Sequence, residues 1–275
     1  MSKSILILGA GESGVGAAKL ALTLGYTPFV SDAGEGKAAF LAELDHDGVE
    51  YEVGGHNPGG WPRVGTVVKS PGIPEDVQIV KDLREGGAEV ISEIEFASRH
   101  FDGKVIAITG ANGKTTTTAL IYQLLKDSGV NASCVGNIGT SWARDMSEGS
   151  ADVVVVETSS FQLDGTTTFK PDIAVLLNIT PDHLDRYGYS LDNYAQSKWR
   201  ITANQTEDDF LVYNSDDEVI AGLLEGTGTR AELMPVSTEK SLLAECLGAG
   251  LNPENQNEFL IHTHNTKPFT MTIQE

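Results

Sequence analysis

The first residues able to do chemistry form the string Gly9-Ala10-Gly11-Glu12-Ser13-Gly14, a G-x-G-x-x-G between an apolar run and a helical stretch, with Asp32 closing the next apolar run. Glycines at this spacing permit a tight turn and bring backbone amides and a helix N-terminus against a diphosphate. Asp32 can accept a hydrogen bond from a nucleotide's ribose or base. NAD is the default ligand of such a pattern, and a plain turn is the alternative. A second string, Thr109-Gly110-Ala111-Asn112-Gly113-Lys114-Thr115, is more specific. It is shorter than the usual G-x-x-x-x-G-K-[ST], because Ile108 holds the place of the first glycine. It keeps the physics of successive N–H groups around phosphate oxygens, a Lys charge for the outer phosphates and a Thr hydroxyl for Mg²⁺. A nucleoside triphosphate is the ligand it predicts. Glu157 ends a run of valines, where a Mg²⁺ ligand is wanted beside a phosphate loop, or else it is a cap acid. His183 lies just past another apolar run and so on the same rim, although a lone His is usually a surface or packing residue. Lys198 sits in a helical stretch, and the pattern alone assigns it only to a solvated face.

Strand ends must hold these residues. SILILG (4–9), a helix over Val15–Leu24 and TPFVSD (27–32) read as a βαβ unit. The strand TVVK (66–69) runs into Ser70-Pro71-Gly72. A helix over 75–85, the strand AEVI (88–91) and a helix from Glu93 to about His100 follow. Asp102-Gly103 then interrupts the chain, so the spacing predicts two α/β domains, 1–102 and 103–275. In the second, a strand over 104–109 leads through the glycine loop into a helix with Leu120, Ile121, Leu124 and Leu125 on its apolar side and Gly129 as C-cap. The runs DVVVVET (152–158) and IAVLLNIT (173–180) are continuous, as a parallel sheet covered on both faces requires, with active residues expected at the strands' carboxyl ends.

The 275 residues carry 39 acids against 19 Lys and Arg, a net charge of -20 without a basic stripe, which argues against nucleic acid as a partner. No stretch has the length and apolarity of a membrane helix, and the N-terminus reads as a first strand and not as a signal peptide, so a cytoplasmic location is expected. Cys134 and Cys246 give neither a disulfide framework nor metal-ligand spacing and are expected to be reduced and structural. His262 and His264 alternate along a hairpin-like stretch and are read as surface residues.

Taken together, TGANGKTTTTALIYQLL, GNIG (136–139), ETSSFQL (157–163), NITPDHLDRYG (178–188) and SKWRI (197–201) resemble the Mur ligases, the ATP-dependent amide ligases of peptidoglycan synthesis. SSFQL and GAGESG point to the D-glutamate-adding branch. The resemblance replaces NAD in the first domain by the UDP of a sugar nucleotide and implies a Rossmann-like UDP-binding domain followed by a P-loop-type ATPase domain with a mostly parallel sheet. It places Glu12, Ser13 and Gly14 at the pyrophosphate, Asp32 at the uracil and Ser70, Pro71 and Gly72 along the nucleotide. Asn137 and Ser159 fall near the rest of the substrate. It assigns ATP to Gly110, Ala111, Asn112, Gly113, Lys114, Thr115 and Thr116, and catalysis to Lys114, Lys198, His183 and Glu157. Two Mg²⁺ ions would be held by Thr115, Glu157, His183 and a Lys198 carbamylated by CO₂.

The reaction implied is attack of the UDP-N-acetylmuramoyl-L-alanine carboxylate on ATP to give an acyl phosphate, which the amine of D-glutamate then displaces. A monomer is expected. The family carries a third, C-terminal Rossmann-like domain with the amino-acid site. Because the sequence stops at Glu275, this reading expects that domain and part of the adenine pocket to be missing, leaving a fragment that binds ATP and Mg²⁺ weakly without D-glutamate-dependent turnover. Two other readings remain open: an NAD(P)-dependent oxidoreductase, taken from GAGESG alone, and a non-catalytic nucleotide-binding module.

Overall fold

The computed structural model describes residues 3–149, 151–239, 248–251, 258–262 and 269–272. Its backbone packs into two compact units that interleave along the sequence: residues up to Gly103 with Ala119–Phe169, and Lys104–Thr118 with the residues from Lys170 onward.

The first unit begins with β1 (Lys3–Leu8), α1 (Glu12–Thr23), β2 (Tyr26–Ser31), α2 (Ala38–His46), β3 (Glu50–Glu52), β4 (Thr66–Lys69), α3 (Gln78–Glu85), β5 (Glu89–Ser92) and α4 (Glu93–Ser98). Its five strands are all parallel, in the order β3-β2-β1-β4-β5. Ile5, Leu6, Ile7 and Leu8 of β1 are fully buried, as a central strand covered on both faces must be. Leu6 and Leu8 pack with Val67, Val80 and Val90. The strand order reverses at β1, whose neighbours are β2 and β4, and parallel α/β sheets characteristically take their ligands past the carboxyl ends of the strands at such a point. That is where Gly9–Gly14 and Ser70-Pro71-Gly72 lie. Helix α1 starts at Glu12, three residues before the expected Val15, because Gly11 already serves as its N-cap. The expected helix over 75–85 starts only at Gln78, since Glu75 is drawn into an ion pair with Lys69 at the end of β4.

The chain continues through β6 (Lys104–Thr109), α5 (Lys114–Asp127), β7 (Ala132–Gly136), α6 (Trp142–Glu148), β8 (Val153–Glu157), α7 (Ser160–Asp164), β9 (Ile173–Leu176), α8 (Leu191–Trp199), β10 (Phe210–Asn214), α9 (Glu218–Gly226), β11 (Glu232–Val236), β12 (Gly248–Leu251), β13 (Glu258–His262) and β14 (Phe269–Thr272). In the first unit β7 and β8 pair in parallel, with Val154, Val155 and Val156 buried. The fully buried Trp142 of α6 meets Phe101 and Phe169 edge-on. In the second unit β6, β9, β10, β11 and β12 are parallel neighbours in that order, and β13 and β14 add an antiparallel hairpin. The fold is α/β with mainly parallel sheets, and no helix among the described residues is long and apolar enough to cross a membrane.

Helix α5 forms as expected, but part of its apolar side stays exposed. Leu120 and Leu124 of α5 are 57% and 59% exposed, and Thr118 is the buried residue of that helix. A periodic pattern marks which side of a helix is apolar but does not supply its cover, and no described element covers these two leucines. Cys134 is a half-buried free thiol of β7, pushed up by burial and by the charges of Glu157 and Asp145. Cys246, His264 and the side chain of His262 lie outside the described residues.

Candidate functional site

In the first unit the glycine loop is shaped by close approach. A Cβ on Gly14 would stand 1.8 Å from the Gly9 carbonyl oxygen, and one on Gly9, at φ +101°, 2.4 Å from Ser70 Oγ. Asp32 braces the loop from β2, accepting from the amide of Ala10 at 2.6 Å and of Gly34 at 2.7 Å. The Ser70 amide donates to the Leu8 carbonyl at 2.9 Å, so the turn after β4 is tied to the end of β1. Buried Lys69 steadies that turn from beneath, donating to the Ile73 carbonyl at 2.7 Å and pairing with Glu75 at 2.8 Å. Ser70 Oγ itself is buried with no hydrogen-bond partner. An orphaned hydroxyl at the strand-order switch point is what a polar ligand would satisfy. The carboxylate of Glu12 faces another way, accepting from Ser141 and Arg144 of the α6 segment.

The same unit holds Asn137 and Glu157 together. The Asn137 amide donates to the Glu157 carbonyl and its Nδ2 to Glu157 Oε1, both at 2.9 Å, and Glu157 is 1% exposed. Ser159 is a helix cap: its Oγ accepts from the Gln162 amide at 3.3 Å while Gln162 Oε1 accepts from the Ser159 amide at 3.0 Å.

In the second unit the loop Gly110–Gly113 leads into α5, whose first turn carries Lys114 and the exposed Thr115 and Thr116. Asn178, just past β9, clamps this loop. Its Oδ1 accepts from the amides of Ala111 at 3.1 Å and Asn112 at 2.8 Å, and its Nδ2 donates to the Asn112 carbonyl at 3.0 Å. Lys114 Nζ donates to the carbonyls of Gly110 at 3.0 Å and Ala111 at 2.9 Å. Lys198 Nζ reaches the same Gly110 carbonyl at 2.8 Å. Lys198 is therefore no solvated lysine. It is 2% exposed on α8, with its Nζ 4.7 Å from the centre of the Tyr194 ring. Burial, with the charge of Asp182, pushes the Tyr194 hydroxyl up to about 12. His183 follows β9 on an exposed turn at φ 49°, with Nε2 3.5 Å from Asp182.

The structure thus gathers Lys114, Lys198 and the phosphate-type loop around Gly110 in one unit, and Asn137 with Glu157 in the other. Among the described residues no three His, Cys, Asp or Glu side chains converge to hold a metal ion. The donor set suits a hard cation only with the Thr115 hydroxyl and an oxygen-bearing group on Lys198. Asn178, Lys69 and Arg144 were not singled out from the sequence. Asn178 had a faint signal, a polar residue closing a buried strand, but Lys69 and Arg144 had none.

A parallel α/β arrangement with a glycine loop at a strand-order switch point and a second, lysine-backed loop opening a helix is the one in which phosphate-loop proteins bind nucleotides. The chain belongs to the Mur ligase family, whose middle-domain model matches residues 108–273. Among curated relatives, the UDP-N-acetylmuramoylalanine–D-glutamate ligase of Christiangramia forsetii is 46% identical over 275 residues, all of this chain and 60% of that protein. The ligase of the same name from Bacteroides fragilis is 50% identical over 238 residues, 86% of this chain and 54% of that protein. The chain thus spans a little over half the length of these relatives. Two solved structures share the fold. A murein peptide ligase from Psychrobacter arcticus aligns with a TM-score of 0.61 at 19% identity, over 98% of this chain and 60% of that one. The UDP-N-acetylmuramate–alanine ligase of Thermotoga maritima aligns at 0.57 and 19%, over 99% and 58%.

Proposed function

We propose that this chain serves an ATP-dependent acid–amino-acid ligase that joins D-glutamate to UDP-N-acetylmuramoyl-L-alanine in the cytoplasm during peptidoglycan synthesis. The observation that carries the reading is the meeting of the Lys114 and Lys198 amines on the Gly110 carbonyl, beside a loop whose amides are already ordered by Asn178. A hydride-transferring enzyme has no use for that arrangement, whereas phosphoryl transfer needs concentrated positive charge at an ordered loop. Membership of the Mur ligase family and the names of the curated relatives support the same reading.

In this proposal residues 1–102 hold the sugar nucleotide and residues from 103 onward hold ATP, a division of labour and not of packing. Gly9–Gly14 and Ser70-Pro71-Gly72 receive the UDP, with Asp32 toward the uracil, while Gly110–Thr116 receive the triphosphate. Lys114 offsets charge on the transferring phosphoryl group. A carboxylate is a poor acyl electrophile, and phosphorylation turns its oxygen into a leaving group that an amine can displace. Thr115, Glu157, His183 and a carbamate on Lys198 are proposed to hold Mg²⁺, which when bound would neutralise phosphate charge. The dry position of Lys198 would slow the proton-assisted loss of CO₂ that removes an exposed carbamate in water.

A thermal-shift panel tests the proposal: UDP-N-acetylmuramoyl-L-alanine, UDP and ATP with Mg²⁺ should each raise the melting temperature, and NAD should not. Lys114→Ala should remove the ATP shift and leave the UDP shift. A clear response to NAD with none to UDP would sink the reading. For Lys198, ¹³C NMR in labelled bicarbonate with Mg²⁺ should show a protein-bound carbamate carbon that disappears in Lys198→Ala.

A further inference from the structure

Arg144 belongs to no motif, yet it bridges two carboxylates of the first unit. Its Nε and Nη2 donate to the two carboxylate oxygens of Glu12 at 2.8 and 2.9 Å, a bidentate pair, and its Nη1 to Glu43 at 2.5 Å. Its side chain is 12% exposed. Ser141, the N-cap of α6, adds its amide to Glu12 at 3.1 Å and accepts from the Arg144 amide. The approach is built into the backbone. Gly16, a turn further along α1, has no room for a Cβ, which would stand 2.1 Å from Ser141 Oγ and 3.0 Å from the Arg144 nitrogen. Lys19 shares Glu43 at 3.3 Å and holds Asp47 at 2.9 Å.

Glu12 is the first residue of α1, in the loop whose amides and helix end would receive a diphosphate. A carboxylate there suits the helix dipole but competes with the ligand for the same positive end. Burial opposes the charge on Glu12, yet the Arg144 and Ser141 contacts outweigh it and hold Glu12 below the usual carboxylate range. The start of α1 therefore carries a carboxylate favoured as an anion, and it is turned onto α6, where Arg144 is the cation that pairs with it among the described residues.

We propose that Arg144 is a positioning residue that sets the affinity of the Gly9–Gly14 loop for an anionic diphosphate, by locking the Glu12 carboxylate into a neutral pair on α6. The inference rests on reading that loop as the diphosphate site. Without Arg144, Glu12 repels the ligand. Without both charges, the repulsion disappears.

The test is isothermal titration with UDP on the unsubstituted chain and on Arg144→Gln, Arg144→Lys, Glu12→Gln and the double variant Glu12→Gln/Arg144→Gln. Arg144→Gln should weaken UDP binding about tenfold, the scale of one uncompensated charge several ångströms from a phosphate in partly screened surroundings. The loss should shrink as salt is raised. Arg144→Lys should fall between, keeping the charge without the fork. The double variant should recover to within about threefold of the unsubstituted chain, because the offending carboxylate has gone. A merely structural role predicts the opposite, a double variant no better than Arg144→Gln, and that result overturns the inference, as does UDP binding indifferent to Arg144→Gln. An unchanged near-ultraviolet circular dichroism spectrum, to which Trp142 and Phe101 of the first unit contribute, together with retained ATP–Mg²⁺ binding shows that Arg144→Gln is folded. If Arg144→Gln loses ATP–Mg²⁺ binding as well, recovery of UDP binding in the double variant decides the matter. Failure of the unsubstituted chain to bind UDP would remove both the loop reading and this inference, whereas binding insensitive to Arg144 removes only the inference.

Discussion

Asn178 is the residue on which the order of the second loop turns. One side-chain amide satisfies the Asn112 N–H and carbonyl and reinforces the Ala111 N–H, which also donates to the Asn178 backbone carbonyl at 2.9 Å, so a smaller residue would leave the Asn112 groups without these partners. Asn178→Ala should lower stability by about 0.5–1.5 kcal/mol, the net worth of the hydrogen bonds lost at an exposed loop, and weaken ATP–Mg²⁺ binding about tenfold by loosening the loop. Urea denaturation and titration calorimetry would check the two effects separately. Unchanged affinity would mean that the loop orders itself without the clamp.

At the scale of elements, helix α4 places two neighbouring carboxylates in opposite situations. Burial would raise Glu95, but the hydroxyl of Thr168, the amides of Thr167, Thr168 and Phe169, and Arg99 together hold it down at about 2. A depressed folded value means stability present above the unfolded value of 4.5 and lost as pH falls from there toward 2. Glu95→Ala should cost about 3–5 kcal/mol near neutrality and flatten the acid limb of a stability–pH profile. Glu93 is the reverse case. It is fully buried against the Ala143 amide at 2.6 Å, and burial, with the charge of Glu12, raises it to about 7. The folded form then binds a proton that the unfolded form releases, so stability declines as pH rises from about 4.5 to 7. Glu93→Gln keeps the acceptor for Ala143 and removes the charge. It should match the parent near pH 4.5 and gain on it up to pH 7, by at most about 3 kcal/mol. A difference independent of pH in paired urea melts would show that Glu93 does not titrate in this range.

At the scale of the molecule, the interleaving of the units has a mechanical consequence. Trp142 of α6 is buried against Phe101 and Phe169, and Gly16 of α1 lies directly under Ser141. Residues 1–103 therefore do not finish their own core. A polypeptide ending at Gly103 should unfold at a markedly lower urea midpoint than one ending at Phe169 and bind a hydrophobic dye in water, despite containing the whole five-stranded sheet. Equal midpoints would show that the 119–169 segment is dispensable to that core.

The strands and loops that hold the candidate site were legible because their signals are local. A fully buried parallel strand must be continuously apolar, as in 4–8 and 104–109, and a loop that admits phosphate must be rich in glycine. Both demands fall on adjacent residues, so the sequence by itself determined the α/β class, the two glycine loops and the place of Lys114. Strand β7 was not legible, since Ala132, Ser133 and Cys134 break any apolar run, and neither were α2 and β3, set in a glycine-rich polar stretch. Only the tertiary structure decided that Lys198 is buried on the Gly110 carbonyl, that Asn178 orders the loop from a strand 60 and more residues away, and that Arg144 reaches back to Glu12 across 132 positions. It also decided that Leu120 and Leu124 of a correctly read helix face solvent. Periodicity records what a residue does for its own helix or strand. Which partner lies across the gap depends on how distant elements pack, and no local pattern encodes that.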